Sequence, residues 1–218
     1  RAATRFDDGA HRDQIARALG ALQLTLRGTP VMYSGEEIGM TNNDPTRRED
    51  VQDPVGRRGW PNNIGRDGER TPMQWSGGAN AGFNKGARPW LPLPASAATH
   101  NVAAESRDPN SVLGLYRTVL QLRKNDAALR EGSYTALDTA NAKVMSYLRR
   151  QGGDVVLVTI NMSEQPQTVS YDLARQGLAG ATATPLVTSA ASGNLRALTL
   201  QPYGVWIARV KAGAKAGR

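Results

Sequence analysis

A long stretch, residues 34 to 109, most constrains what this chain can fold into, because its hydrophobic residues show almost no periodicity. Glycine, proline, asparagine and aspartate are concentrated there, which argues against long helices or strands. A loop of this length within a folded domain is either functional or disordered. Large aromatic residues are spread along it, at Trp60, Trp75, Phe83 and Trp90. We therefore predict an ordered loop in which most of these aromatic side chains pack.

The most distinctive part of this stretch is the segment GRDGERTPMQW, which begins at Gly65. Gly68 and Pro72 interrupt regular structure there, so the segment is predicted to be an ordered loop. It carries Arg66 and Arg70 among acidic residues. A guanidinium group offers several N–H donors in a rigid, planar arrangement, which suits neighbouring hydroxyls or carboxylates. The residue types thus allow either ligand binding or ion pairs that stiffen the loop.

A helix and a short apolar run precede the long stretch. Residues 12 to 27 have one apolar face at helical spacing, formed by Ile15, Leu19, Leu22 and Leu26. Gly28 follows in the position of a C′ glycine. The run from Pro30 to Tyr33 is typical of a buried parallel strand. A helix followed by a strand indicates an α/β fold, either a barrel or a doubly wound sheet.

The pattern changes again after the long stretch. Residues 111 to 125 have helical spacing and follow the start signal Asp108-Pro109-Asn110-Ser111. From about Gly132 the chain consists of short β-rich runs separated by turn residues. These runs are Tyr134–Leu137, Val144–Leu148, Val155–Ile160, Thr168–Tyr171, Thr184–Val187, Leu195–Leu200 and Val205–Val210. Their close spacing predicts an antiparallel β-sandwich, with a domain boundary near residue 130.

Length and composition exclude several classes of protein. The 218 residues could hold one large domain or two small ones. There is no cysteine, which excludes disulfides and thiolate metal sites but leaves the cellular compartment open. His11 and His100 are far apart and have no neighbours at ligand spacing, so we predict no metal site and no cofactor. No apolar run approaches the ~20 residues that a membrane-spanning helix needs.

The net charge of +8 raises the question of a nucleic-acid partner. The basic residues are mostly arginines scattered among aspartate and glutamate, and no nucleic-acid-binding motif is present. We therefore predict neither a nucleic-acid nor a membrane partner. The oligomeric state stays open at this point.

The arginine segment resembles the RDxxRTPMQW segment of bacterial α-glucosidases and oligo-1,6-glucosidases in the α-amylase superfamily, glycoside hydrolase family 13. The run from Gly28 to Met40 is similar to that family's eighth barrel strand and the loop after it. Thr4-Arg5-Phe6 is similar to the stretch that follows the family's Asn-His-Asp motif, and residues 111 to 125 are similar to the last barrel helix. The matches extend from the first residue into the last third of the chain.

The resemblance implies an architecture and an activity. Residues 1–130 would be the C-terminal part of a (β/α)8 TIM barrel, and residues 131–218 the antiparallel β-sandwich domain that follows it. The parent protein would be a retaining α-glucosidase that hydrolyses short α-glucosides or transfers glucose from them. Its nucleophile and its acid/base would lie upstream of Arg1, so no catalytic residue is expected in this chain. Two alternatives are a trehalose synthase and a non-catalytic carbohydrate-binding or interaction module.

The resemblance also assigns candidate binding residues. Arg66 is expected to contact the terminal glucose of an oligosaccharide substrate, and Arg70 to brace the loop or reach the same pocket. Asp67 is interpreted as a partner that orients an arginine. Arg5 is either close to the pocket or an ordinary surface arginine. A tryptophan of the long loop could also stack on a sugar ring, because indole has a large apolar face and a polar N–H.

Glu36 and Glu37 attract attention as a possible catalytic pair, but the spacing argues against it. A retaining glycosidase needs two carboxylates about 5 Å apart across the scissile bond. Adjacent residues of an extended segment point to opposite faces, so these two cannot address one bond. We interpret them as groups that lie behind the pocket-lining residues and do not contact the substrate themselves.

Overall fold

The computed structural model describes residues 1–137 and 140–213, and two chain units with different architectures can be distinguished by their contacts. The first, called here the loop unit, comprises Arg1–Ala16 and Met32–Gly114. The second, called here the sheet unit, comprises Arg17–Val31 and the chain from Leu115 onward. The division predicted near residue 130 remains a prediction.

Helices of the chain are mostly short, apart from two of fourteen residues each. The α-helices are α1 (Ala2–Arg5), α2 (Arg12–Thr25), α3 (Pro54–Gly59), α4 (Val102–Glu105), α5 (Val112–Asn125) and α6 (Ala127–Glu131). The predicted helices over 12 to 27 and 111 to 125 are thus confirmed as α2 and α5. The hydroxyl of Ser111 accepts the backbone N–H of Gly114 at 3.0 Å, as expected for the residue that begins α5.

Apart from α3, the loop unit between α2 and α4 consists of irregular backbone and single turns of 3-10 helix. These turns are Glu36–Ile38, Arg48–Asp50, Gly68–Arg70, Ala79–Gly82 and Ala95–Ala98. The loop unit has a small apolar core in which Ile38, Met40 and Leu113 are buried against Met73 and Val102. The long aperiodic stretch is therefore ordered, as predicted.

The predicted buried strand over Pro30 to Tyr33 is wrong for this structure. These residues belong to no helix or strand, and Val31 is 79% exposed. A strand exists only through hydrogen bonds to a neighbouring strand. No strand within residues 1–137 and 140–213 pairs with this run, so its apolar sequence is not sufficient to make it one.

Six antiparallel strands form the sheet of the described chain. They are β1 (Ser133–Leu137), β2 (Val144–Gln151), β3 (Asp154–Asn161), β4 (Gln167–Val169), β5 (Thr182–Asn194) and β6 (Ala197–Lys211). The order is β1-β2-β3-β6-β4, and β5 pairs with the other edge of β6. The two predicted runs at 195–200 and 205–210 are therefore joined in one long strand, β6.

The long strand β6 changes partners along its length. Thr199 lies opposite Thr168 of β4, whereas Ala208 lies opposite Leu157 of β3. Between these points Tyr203 has a positive φ of 53°, and the facing strand β5 has a register shift near Ala190, whose φ is 52°. Irregularities of this kind bend a strand and increase its twist. They allow β6 to pair with β4 over one part of its length and with β3 over another.

The alternation of side chains along β2 and β3 places apolar groups on both faces of the sheet. Leu148 and Leu157 belong to a core cluster with Trp206 on one face. On the other face Tyr147 and Arg149 are fully buried. Since both faces of β3 are covered, it has a continuous apolar sequence rather than an alternating one.

Arg149 is the largest charged group buried in the sheet unit, with 0% exposure. Its guanidinium donates to three backbone carbonyls: Thr25 at 2.5 Å, Gly132 at 3.0 Å and Ser133 at 3.2 Å. Burial lowers the pKa of Arg149 below its ordinary value. Thr25 is the last residue of α2, where backbone carbonyls have no partner within the helix. Arg149 therefore joins the end of α2 to the sheet.

We expect Arg149→Met to destabilise the sheet unit, because the two buried carbonyls of Thr25 and Gly132 and the partly buried carbonyl of Ser133 would lose this donor. A buried polar group left without a partner costs about 1–3 kcal/mol, so the free energy of unfolding should fall by about 3 kcal/mol or more. Urea denaturation followed by circular dichroism would measure it. Arg130→Met is the control, since Arg130 is exposed and pairs with its neighbour Glu131. Equal losses in the two variants would contradict this role of Arg149.

His100 pairs with Asp13 within the loop unit. The two side chains approach within 3.0 Å, between Nε2 and Oδ1. The hydrogen bond to Asp13 raises the pKa of His100, against the opposing effects of burial and Arg12 and with a smaller contribution from Glu105. The charged pair therefore stabilises the folded chain while His100 is protonated.

This pair predicts a pH-dependent stability. A raised pKa in the folded state gives a contribution that is complete below the ordinary value of about 6.5 and is lost as the pH rises through the raised value. His100→Gln should therefore reduce the melting temperature more at about pH 5.5 than at about pH 8.5. Thermal unfolding of both proteins at these pH values tests it. A larger reduction at the higher pH would exclude this role of the pair.

Candidate functional site

The arginine segment lies in the loop unit as an irregular loop around the 3-10 turn Gly68–Arg70. Gly65 has a φ of 74°, a conformation that favours glycine. At Gly68 a β-carbon would come within 1.7 Å of the Oδ1 of Asp44, so a side chain there would have to displace the Asp44 carboxylate. The backbone carbonyl of Gly68 accepts the N–H of Asn43 at 3.0 Å. Both glycines thus lie against an aspartate side chain, Gly65 against Asp53 and Gly68 against Asp44.

Asp53 lies at the centre of the contacts that hold this segment. Its side chain is 7% exposed. Oδ1 accepts the backbone N–H of Val55 at 2.8 Å, while Oδ2 accepts the N–H of Arg66 at 3.0 Å and a guanidinium N–H of Arg70 at 3.2 Å. Hydrogen bonds from the amides of Val55 and Arg66 lower the pKa of Asp53, and Arg70 contributes in the same direction. The carboxylate is therefore held in its charged form.

Asp67 is also buried, and its backbone carbonyl accepts the N–H of Arg70 at 3.0 Å while its carboxylate binds backbone amides. Its Oδ2 accepts the backbone N–H groups of Gln52 at 2.6 Å and Asp53 at 2.9 Å. That Asp67 orients an arginine remains a prediction. The carboxylate that binds an arginine side chain is that of Asp53, and Asp67 contacts the backbone of both Asp53 and Arg70. Asp53 was missed in the sequence, although an aspartate before a proline is a typical helix start and Asp53 begins α3.

Arg66 and Arg70 are exposed but differ in their contacts. The guanidinium of Arg70 binds Asp53, whereas within residues 1–137 and 140–213 the guanidinium of Arg66 has no hydrogen-bond partner. The backbone of Arg66 is nevertheless fixed by Asp53. The side chain of Arg66 is thus free to bind a ligand, while that of Arg70 is engaged in the loop. That either arginine binds a sugar remains a prediction.

Glu36 and Glu37 lie in a 3-10 turn rather than an extended segment, so the argument from opposite faces of a strand does not apply to them. Oε2 of Glu36 accepts the N–H of Tyr33 at 3.1 Å, and Oε2 of Glu37 accepts the N–H of Gly35 at 2.8 Å. Each carboxylate thus satisfies a backbone donor of its own turn. These contacts agree with a supporting role, and an effect on a pocket remains a prediction.

Arg1 connects the Glu36 turn to the arginine segment, and the sequence offered no signal for it. Its guanidinium donates to the carbonyl of Ser34 at 3.3 Å and to the hydroxyl of Thr71 at 3.2 Å. The group lies over the ring of Tyr33, 5.6 Å from its centre. Burial lowers the pKa of Arg1 below its ordinary value.

An open cavity of about 520 Å³ lies beside Arg1 in the loop unit. Glu36 and Glu69 line it, together with the exposed Arg5. Carboxylates and guanidinium groups at one cavity can donate to and accept from hydroxyl groups. Arg5 therefore lies beside a cavity with charged side chains, and its place near a substrate pocket remains a prediction.

The aromatic residues of the long loop are more exposed than the sequence predicted. Trp90 is 79% exposed, Trp75 and Phe83 are also exposed, and Trp60 is half-buried. The prediction that most of them pack inside is therefore wrong. Smaller apolar residues form the core, and buried polar side chains such as Asp53 fix the backbone, so the loop does not depend on aromatic packing.

The described residues also include no group of three or more His, Asp and Glu side chains arranged to hold a metal ion. His11 pairs with Asp8 at 2.8 Å, and His100 pairs with Asp13. None of the helices formed by residues 1–137 and 140–213 is long and apolar enough to cross a membrane.

Comparison with known protein families gives two matches that together cover most of the chain. The alpha amylase catalytic domain matches residues 1–132, and the maltogenic amylase C-terminal domain matches residues 134–207. The predicted fold class is confirmed: the C-terminal part of a (β/α)8 barrel followed by an antiparallel β-sandwich.

Curated relatives are similar over about three quarters of this chain. Glucan 1,6-alpha-glucosidase of Streptococcus dysgalactiae subsp. equisimilis is 36% identical over 184 residues, which cover 77% of this chain and 34% of that protein. Probable oligo-1,6-glucosidase 2 of Bacillus subtilis (strain 168) is 38% identical over 183 residues, which cover 76% and 32%. The chain thus spans about a third of the length of these relatives.

Solved structures agree with this assignment. The trehalulose synthase MutB from Pseudomonas mesoacidophila MX-45 matches with a TM-score of 0.80 and 32% identity, over 94% of this chain and 40% of that chain. A MutB mutant in complex with glucose matches with a TM-score of 0.81 and 31% identity, over 96% and 40%. Since the catalytic-domain family matches more than half of the residues, this chain belongs to the α-amylase family.

Proposed function

We propose that this chain is part of a retaining α-glucosidase that acts on short α-glucosides, and that its own contribution is to hold the substrate. The exposed guanidinium of Arg66, without a partner in the described residues and with a fixed backbone, is the observation that carries the proposal. A free guanidinium can donate two parallel hydrogen bonds to neighbouring hydroxyls of a glucose unit. The names of the relatives, glucan 1,6-alpha-glucosidase and oligo-1,6-glucosidase, support an α-glucoside as the substrate class.

The two carboxylates that break the glycosidic bond are proposed to lie outside these 218 residues. A retaining mechanism needs a nucleophile and an acid/base about 5 Å apart. Glu36 and Glu37 each accept a backbone N–H, and Asp53 and Asp67 are engaged in the arginine loop. These four carboxylates are engaged in hydrogen bonds within the protein, which supports a binding rather than a bond-breaking role for this part of the enzyme.

Replacement of Arg66 tests the proposal in the longer protein. A hydrogen bond from a charged group is worth about 1.5–3 kcal/mol, so Arg66→Ala should lower kcat/KM for isomaltose and maltose by about 10–100-fold. Arg66→Lys should recover little, because an ammonium group does not reproduce the planar set of donors. Arg58→Ala removes another exposed arginine of the same unit and serves as the control.

Glu36→Gln and Glu37→Gln complete this comparison. Both variants should lose less activity than Arg66→Ala, since the amide oxygen of glutamine can still accept the same backbone N–H. Melting temperatures would show that each variant is folded. Wild-type kinetics in Arg66→Ala, together with complete loss of activity in a folded Glu36→Gln or Glu37→Gln, would refute the assignment.

The 218-residue chain by itself is expected to hydrolyse no α-glucoside. It would hold the arginine loop but neither the nucleophile nor the acid/base. An assay of the purified chain with p-nitrophenyl α-glucoside and isomaltose tests this expectation. Turnover well above that of the buffer would show that the chain carries its own catalytic carboxylates.

Transfer of glucose to another sugar is a second candidate for the parent protein, favoured by the likeness to a trehalulose synthase. The glycosyl-enzyme intermediate is common to both reactions, and they differ in whether water or a sugar hydroxyl accepts the glucose. Product analysis with sucrose distinguishes them, because the leaving group is fructose: free glucose indicates hydrolysis, and an isomeric disaccharide indicates transfer. A parent sequence without the two barrel carboxylates would instead favour a non-catalytic binding module.

A further inference from the structure

The side chain of Asp53 accepts hydrogen bonds through both of its carboxylate oxygens. Oδ1 binds the N–H of Val55, as expected for the residue that begins α3. Oδ2 binds two donors that lie much later in the sequence, the N–H of Arg66 and the guanidinium of Arg70. One carboxylate thus joins the beginning of α3 to both arginines of the distinctive segment.

The side chain of Asp67 in turn binds the backbone at Asp53. The carboxylate of Asp53 binds the backbone of Arg66, and the carboxylate of Asp67 binds the backbone of Gln52 and Asp53. The two chain segments are therefore held by carboxylate–amide bonds that run both ways. Gly65 allows the close approach, since a β-carbon there would lie 2.8 Å from the Cβ of Asp53.

We propose that Asp53 is the positioning residue of the arginine pair, which fixes Arg66 through its backbone amide and Arg70 through its guanidinium. The part of this inference that concerns sugar rests on the proposed function. Arg66 has no side-chain partner in the described residues, so the place from which its side chain extends depends on the backbone. Asp53 thus determines what Arg66 can reach without touching the ligand. It also orients Arg70 beside it.

Two substitutions of Asp53 separate this role from the capping of α3. Asp53→Asn has the same size but replaces one acceptor oxygen with a donor group, so it cannot satisfy both Val55 and Arg66. Asp53→Ser keeps an acceptor that can begin the helix but is too short to serve Arg66 and Arg70 as well. Asp50→Asn is the control, because Asp50 is a more exposed carboxylate of the same loop unit that pairs with Arg47.

The first experiment uses the 218-residue chain without any sugar. Amide hydrogen exchange at Arg66 should become at least ~10-fold faster in Asp53→Ser and Asp53→Asn, and modification of Arg70 by phenylglyoxal should accelerate. Exchange at Arg57, whose N–H binds the carbonyl of Asp53 within α3, should remain slow in Asp53→Ser. Asp50→Asn should change none of these rates.

Two results of this experiment would overturn the proposal. Unchanged exchange at Arg66 in both Asp53 variants would show that another group fixes the loop. Equal acceleration at Arg57 and Arg66 in Asp53→Ser would show that Asp53 is needed for the folding of the whole stretch rather than for the position of the arginines.

Kinetic measurements on the longer protein then test whether the position of the arginines affects the reaction of the sugar. Asp53→Ser should lower kcat/KM for isomaltose by about 10-fold or more, and the double variant with Arg66→Ala should lose little beyond Arg66→Ala alone. If Arg66→Ala has no effect while the exchange results hold, the sugar-binding function fails and the positioning role of Asp53 stands. Fully additive losses would show that Asp53 acts independently of Arg66.

Discussion

The structure of the loop unit depends on one constraint: its backbone N–H and C=O groups need partners although no sheet or long helix provides them. Buried backbone polar groups without partners are costly, so side chains must replace the regular ladders. Asp53 and Asp67 do this for the arginine segment, and Glu36 and Glu37 do it for their own turn. Acidic residues in an aperiodic sequence therefore act here mainly as acceptors for the backbone.

The same contacts bear on the proposed binding of a substrate. Ordering a long arginine side chain costs conformational entropy, and a fixed backbone leaves only the side chain itself to be ordered on binding. Arg66 has this arrangement, since its amide is bound by Asp53 while its guanidinium is free of partners in the described residues. Arg70 differs because its guanidinium neutralises the buried carboxylate. Two arginines of one motif thus have different physical roles.

In the sheet unit, arginine side chains donate to backbone carbonyls that would otherwise lack a partner. The last carbonyls of α2 have no partners within the helix, and Arg123 donates to that of Leu24 at 2.7 Å and to the carbonyl of Leu26, just after the helix, at 2.9 Å. Arg149 donates to the carbonyl of Thr25. A positive charge is also favourable at a helix C-terminus. Part of the high arginine content of this chain therefore serves internal structure, which agrees with the absence of a nucleic-acid-binding motif.

Elements with a local signal could be predicted from the residues alone. The apolar faces of α2 and α5 and the short β-rich runs follow from side-chain periodicity, and the arginine segment was evident from its residue types. Tertiary structure alone decided which acidic residue meets which arginine, because Asp53 and Arg70 are distant in sequence and their contact depends on how the loop closes. It likewise decided that the run from Pro30 to Tyr33 is not a strand, since strand formation requires a partner that periodicity cannot reveal.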